Sequence, residues 1–420
     1  MHGSRDRRSR RDFLRSAASL AAGGLVWPRS VEAFVPCIER AAAASQDELW
    51  RVVRQSFLIP TGRVYLNVGT LGPQPRVVVE AVDEHTRRVA ETFPPGVDWD
   101  ALKTRLGRFV DCDPAGLVFP RNTTEGMSIV ANGIEWSPGD EILTTDHEHI
   151  GGLCCWQLVA ARYGLTLRQL PLPVPPRSAD ELVAVFERAL SPRTRLVSVS
   201  HVTFTNGVVM PAREIVALCR QRNVAAAVDG AHPPGLTRVS LREIDPDFYA
   251  SSPHKWLLAP QGTGFLYLRD EWRTRLWPTV ASGGWDDLEL GAHRFNHLGT
   301  FDESRLAGLD AALRFQEAIG IDRIEARVRE LRSLLLERLR GLPRVRIVSP
   351  REDALGAGMV SFTVEGIASL ELQRRLAEHG NVRTRVIGEY DYGWMRLSPH
   401  IYNSPDEIER VVEMIETLSG

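Results

Sequence analysis

Short apolar runs separated by turn residues dominate the middle of the chain, and stretches with helical spacing fill the gaps between them. Leu117-Val118-Phe119, Ile142-Leu143, Leu196-Val197-Ser198-Val199, Ala225-Ala226-Ala227-Val228, Phe248-Tyr249-Ala250 and Phe265-Leu266-Tyr267-Leu268 read as strands. Residues 77–92, 99–110 and 214–223 carry the 3.6-residue period of helices. Alternation of this kind from about residue 77 to 270 predicts a mostly parallel sheet covered on both faces. Ligands bind such sheets at the carboxyl ends of the strands, and the polar loops of this chain fall there.

The pattern changes on either side. Before the sheet, residues 49–57 read as an amphipathic helix, 63–67 as a brief strand and 68–73 as a loop. After it, helices at 304–319 and 321–339 lead into strands at 345–347, 360–364 and 394–397, with helices at 369–379 and from 405. These form a compact α+β unit. The expected organisation is a signal and linker at 1–44, a segment at 45–70 joining the small domain, a large domain at 71–310 and a small one at 311–420.

A chain of 420 residues has room for two cores, and its net charge of −2 gives no footprint for nucleic acid. At the N-terminus, Ser9-Arg10-Arg11-Asp12-Phe13-Leu14-Arg15 precedes a mildly apolar stretch at 17–27. This is the twin-arginine export pattern, with an apolar part too short to span a bilayer permanently, although a basic tail has the same look. It predicts an encounter with the twin-arginine export machinery, a periplasmic or secreted location, and cleavage between Ser30 and Ser45. The five cysteines, Cys37, Cys112, Cys154, Cys155 and Cys219, have no framework spacing and read as small apolar residues.

The basic side chains are almost all arginine, with two lysines, Lys103 and Lys255. Lys103 sits in a helical pattern and is expected on the surface. Lys255 closes an apolar strand in Ser251-Ser252-Pro253-His254-Lys255. An arginine cannot serve where a neutral amine must attack a carbonyl, so this position suits a catalytic amine as well as a buried structural lysine. Thr123 and Thr124 open a helix, where they could bind an anion or simply cap. Asp146-His147-Glu148-His149 invites a metal reading, but the spacing does not assure two ligands on one helix face. An aromatic wall or a helix-entry hydrogen bond fits better, and no metal is expected.

Val228-Asp229-Gly230-Ala231-His232, Ser252-Pro253-His254-Lys255 and Gly299-Thr300 together resemble the class V aminotransferases of the fold-type I pyridoxal phosphate enzymes. The likeness runs from about Tyr65 to the C-terminus, and the Asp-Gly-Ala-His form is similar to isopenicillin N epimerase-like members. It implies a large domain with a mostly parallel seven-stranded sheet and a smaller C-terminal α+β domain. It also implies pyridoxal 5'-phosphate held on Lys255 as a Schiff base, with Asp229 facing the pyridine nitrogen and His232 near the phenolic oxygen. Thr123, Thr124, Ser252 and His254 match phosphate-binding positions. Thr300 would reach the phosphate of a neighbouring subunit, implying a homodimer with shared active sites. His149 matches the residue that stacks on the cofactor ring, with Ile150 one step away in register.

Arg396, in Trp394-Met395-Arg396-Leu397, matches the arginine that grips a substrate carboxylate, and Asn67 would complete that site. Phe204 stands where several relatives place an asparagine beside the cofactor. No cysteine follows Cys219, so the nucleophilic thiol of a cysteine desulfurase is missing. The resemblance thus implies an exported enzyme acting at the amino-bearing carbon of an amino acid or small peptide, as an aminotransferase or epimerase. A side-chain lyase or a tailoring enzyme for a pyoverdine-type siderophore peptide is the alternative. A silent binding module would be expected to have lost Lys255 or Asp229, and neither is lost.

Overall fold

The structure is a computed structural model that describes residues 28–93 and 96–419. The twin-arginine stretch lies outside the described residues. The strands are β1 (Val64–Tyr65), β2 (Leu117–Val118), β3 (Glu141–Thr145), β4 (Thr166–Leu170), β5 (Thr194–Ser200), β6 (Ala225–Asp229), β7 (Phe248–Ser251), β8 (Phe265–Leu268), β9 (Val345–Ile347), β10 (Val360–Val364), β11 (Val382–Arg383), β12 (Arg385–Ile387) and β13 (Trp394–Leu397).

Seven of them form one sheet in the order β2-β8-β7-β6-β5-β3-β4. From β7 to β4 every pairing is parallel, while β8 runs antiparallel to both its neighbours. Successive apolar residues divide between the two faces. Leu196, Ala227 and Ala250 pack with Met127 and Trp156 on one side. Val197, Val228 and Tyr249 pack with Ile215 and Val216 on the other. Burial on both faces is why these strands read as continuous apolar runs and not as alternating ones. Gly230 follows β6 where a side chain would run into the Tyr249 ring, so glycine alone lets the chain turn there.

A second sheet, β12-β13-β10-β9, is antiparallel and carries its own core, with Leu331, Leu335, Phe362, Leu372 and Ile415. β1 pairs in parallel with β11, Val64 opposite Val382, and so ties the early chain to this later unit. The stretch before Arg396 folds as β11 and β12 followed by a tight turn at Glu389–Asp391.

Other sequence expectations meet a different outcome. Lys103 is 8% exposed, and burial lowers its pKa; it is not a surface residue. Cys154 is exposed, whereas Cys112, Cys155 and Cys219 are buried. Residues assigned to signal and linker include a helix, Val31–Ala44, capped by the Ser30 side chain. Its Phe34 is fully buried and stacks on Phe315 with ring centroids 4.9 Å apart. Cleavage inside this helix would strip a layer from the core.

Phe34→Ala is therefore expected to lower the unfolding free energy by roughly 3–5 kcal/mol, the usual cost of removing a buried ring. The chain lacking residues 1–44 should have a lower denaturation midpoint than the chain lacking residues 1–29. Equal midpoints for the two truncations would show that the helix adds nothing.

Candidate active site

The carboxyl ends of β5, β6 and β7 meet the start of helix Thr123–Gly133 and the two strands β12 and β13 around a cavity of about 240 Å³. At one end lie Thr123, Thr124, Ser252 and His254. The Thr123 amide donates to Ser252 Oγ at 3.0 Å, and the two hydroxyls are 2.8 Å apart, so the helix start is tied to the loop after β7. Asn122 caps the helix by accepting from the Glu125 amide at 3.0 Å. The positive end of the helix faces the cavity, an arrangement suited to an anion. Burial holds His254 near a pKa of about 4, and its buried Nδ1 has no partner among the described residues. A phosphate group fits this set of donors.

Asp229 ends β6. Its Oδ1 accepts from the Ala231 amide at 2.9 Å. A side chain at Gly152 would come within 2.7 Å of Oδ2, so the glycine keeps that oxygen open toward the cavity. Burial raises the carboxyl pKa and the Lys255 charge opposes the rise. A cationic ring N–H is the partner such a carboxylate lacks, and the pyridinium of pyridoxal phosphate supplies one.

His149 lines the cavity, while Ile150 is 50% exposed and does not. Its Nδ1 accepts from the Gly151 amide at 3.0 Å, and its ring meets Phe204 edge-on at 5.0 Å. The neighbours point elsewhere. His147 Nδ1 pairs with Thr205 Oγ1 at 2.5 Å, and the Glu148 carboxylate accepts from the Thr145 and Ser200 hydroxyls, each at 2.6 Å. His147, Glu148 and His149 thus turn to different partners, while Asp146 Oδ1 stays 3.8 Å from His147 Nε2.

Lys255 is half-buried in the cavity wall, and desolvation pulls its pKa down to about 8 against the attraction of Asp229. Its Nζ lies 3.4 Å from His232 Nε2. The opposite nitrogen, His232 Nδ1, accepts from the Trp256 indole N–H at 3.0 Å. An indole can only donate, so the neutral imidazole must carry its proton on Nε2, facing the amine. Trp256 was not singled out from the sequence, where it is one apolar residue among several.

Arg396 is buried and makes no ion pair with a carboxylate among the described residues. Nη1 donates to the Phe204 carbonyl at 2.6 Å, Nη2 to Thr70 Oγ1 at 2.9 Å, and Nε has no partner. Asn67 sits behind, its Oδ1 accepting from the Thr70 hydroxyl at 2.8 Å, so it reaches the cavity through Thr70. Thr70 and Arg385 line the cavity and escaped the sequence reading. Thr300 is exposed and lies outside the cavity of its own chain.

The class V aminotransferase model matches residues 99–411. Isopenicillin N epimerase of Amycolatopsis lactamdurans is 33% identical over 88% of this chain and 98% of its own length. A cysteine desulfurase from Thermococcus onnurineus NA1 superposes with a TM-score of 0.79 at 26% identity, covering 88% of this chain and 98% of that one. The C-DES protein, solved with glycine covalently linked to its pyridoxal phosphate, has a TM-score of 0.77 at 29% identity over 86% of this chain and 98% of its own. The chain belongs to the class V aminotransferase family and is a pyridoxal-phosphate-dependent enzyme.

Because the chain has two lysines, apo-protein labelled on lysine side chains gives two titrations by NMR. Lys255 is expected to be an ammonium below and an amine above a midpoint of about 8, and Lys255→Met identifies its signal. A midpoint at the ordinary value of 10.5 would show that water reaches the amine.

Proposed function

We propose that the enzyme moves a proton at the amino-bearing carbon of an α-amino acid or small peptide, as an epimerase or aminotransferase does. The observation that carries this reading is a half-buried amine of lowered pKa, Lys255, sharing a cavity with Arg396, which has no carboxylate partner among the described residues, and with no thiol in its lining. Pyridoxal phosphate, when bound, supplies an electron-poor ring that lowers the barrier to breaking a bond at that carbon.

The residues divide the work by position. Thr123, Thr124, Ser252 and His254 hold the phosphate at the helix start. Asp229 would keep the cofactor's ring nitrogen protonated. His232 would donate from Nε2 to the phenolic oxygen, and His149 would pack against the ring. Arg396, braced by Thr70, Asn67 and the Phe204 carbonyl, orients the substrate carboxylate. Lys255 then takes and returns the proton at the amino-bearing carbon. A pKa near 8 leaves both its forms populated around neutral pH, which suits a group that must do both.

The absence of any cysteine from the cavity lining disfavours sulfur transfer through a protein thiol. Export is supported by the Arg10-Arg11 run, and a homodimer by the exposed Thr300, which would complete the phosphate site of a second copy.

In deuterium oxide the holoenzyme is expected to exchange the α-hydrogen of amino acids in a panel, read by NMR, and Lys255→Ala should abolish exchange. Arg396→Gln should weaken substrate binding by roughly 100-fold, the equivalent of about 3 kcal/mol for a lost charge-assisted pair. Exchange persisting at the wild-type rate in Lys255→Ala would remove the lysine from this role.

A further inference from the structure

Arg385 and Arg396 are direct partners across the antiparallel pair β12–β13, and both line the cavity. Like charges set opposite each other on one sheet face destabilise the pair. Burial, and then the Arg385 charge, push the Arg396 pKa down to about 9. The groups that meet Arg396 are neutral acceptors, the Phe204 carbonyl, Thr70 and Asn67. Arg385 has one counter-ion among the described residues, Glu389, four residues further on, which takes a hydrogen bond from Nη2. A guanidinium has five N–H donors, so most of its capacity is unspent. Nothing in the packing of the small sheet requires two arginines here, and an anion beside each would relieve the repulsion.

Arg385 and Thr70 also line an adjoining cavity of about 630 Å³. Arg383, two residues earlier, lines it as well, and Asp391 is its one carboxylate among the described residues. Arg385 therefore stands where the space around Lys255 passes into a second, larger space.

We propose that the substrate is a dicarboxylic amino acid, whose α-carboxylate binds Arg396 and whose side-chain carboxylate binds Arg385 at the junction of the two cavities. This deepens the reading above and rests on it. The second cavity takes the far end of the side chain, and Glu389 holds Arg385 in place until the ligand carboxylate shares it.

The test titrates the absorption band of the wild-type holoenzyme with L-glutamate and L-2-aminoadipate against their uncharged counterparts L-glutamine and L-norleucine. At least one diacid is expected to bind roughly tenfold or more tightly than its uncharged counterpart, as a charge-assisted contact provides. Arg385→Gln should erase that preference, weakening the diacids roughly tenfold or more relative to glutamine and norleucine. A retained cofactor band shows that the variant is folded. Equal affinity of the two series in wild type, or equal weakening of both in Arg385→Gln, overturns the second site while leaving the proton-transfer reading intact. If no amino acid of either series moves the band, the α-amino acid reading itself falls. Glu389→Gln, which keeps Arg385 and removes its internal counter-ion, should tighten the diacids alone; any other result counts against the assignment.

Discussion

A primary amine held out of water at the carboxyl edge of a parallel sheet is the constraint on which the site depends. Taking an ammonium out of water disfavours its charged form, and Lys255 has Asp229 as its compensating charge while Arg396 and Arg385 push the other way. The result is an amine that gives up its proton far more readily than an exposed lysine does. The sheet makes this possible because β5, β6 and β7 are covered on both faces, so the loops at their ends open into a lined cavity and not into bulk water. Asp229 has the reverse problem, a buried carboxylate, and it sits where a cationic ring would answer it.

Much of this was legible in the sequence, for a physical reason. In a parallel sheet the reactive residues follow directly on apolar runs, so Asp229 at the end of β6 and Lys255 just beyond β7 are marked by the strands that carry them. Thr123 and Thr124 are marked in the same way by the helix they start. What was hidden depends on contacts made far along the chain. Thr70 gains its place from the bridge between Asn67 and Ser398 beside β13. Arg385 lies in a three-residue strand, too short to show a period, in a chain where arginine is the common basic residue. Lys103 has charged neighbours along its helix, yet it is buried, and its charge acts on His293, a residue remote in sequence. The helix Val31–Ala44 looked like linker because Phe315, the ring that holds Phe34, is remote in sequence.

The position of the two arginines relative to Lys255 rests on how the small sheet is fastened to the large one. Tyr392 stacks on Trp394 of β13 at 4.1 Å and on His147 at 5.1 Å. Tyr390 donates to the Glu148 carbonyl at 2.7 Å, and Tyr392 to that of Asp146 at 3.3 Å. The Asp146-His147-Glu148 run, which suggested metal ligands when read alone, serves as the landing for this aromatic seam. The Asp146 and Glu148 carbonyls take the tyrosines, the His147 ring stacks on Tyr392, and the Glu148 side chain turns inward to Thr145 and Ser200. The seam locks the turn after β12, so Arg385 and Arg396 are presented to the cavity by a rigid edge.

Lys255 is gripped through its backbone with similar care. Gly72 packs so closely that a side chain there would strike the Lys255 carbonyl, and the Gly72 amide donates to the His254 carbonyl at 2.8 Å. The next residue, Trp256, is held at both ends. Its indole N–H goes to His232, and its carbonyl accepts from His400 Nε2 at 2.8 Å and Gln316 Nε2 at 3.1 Å. One fully buried side chain thus orders both the lysine's backbone and the imidazole that faces its amine. The backbone cannot shift to follow a moving proton, so any travel between carbon and nitrogen must come from the lysine's own methylene chain. That chain is long and has rotatable bonds to spare, whereas the groups it moves between are fixed. Lysine meets this requirement where arginine, always charged and planar at its tip, does not.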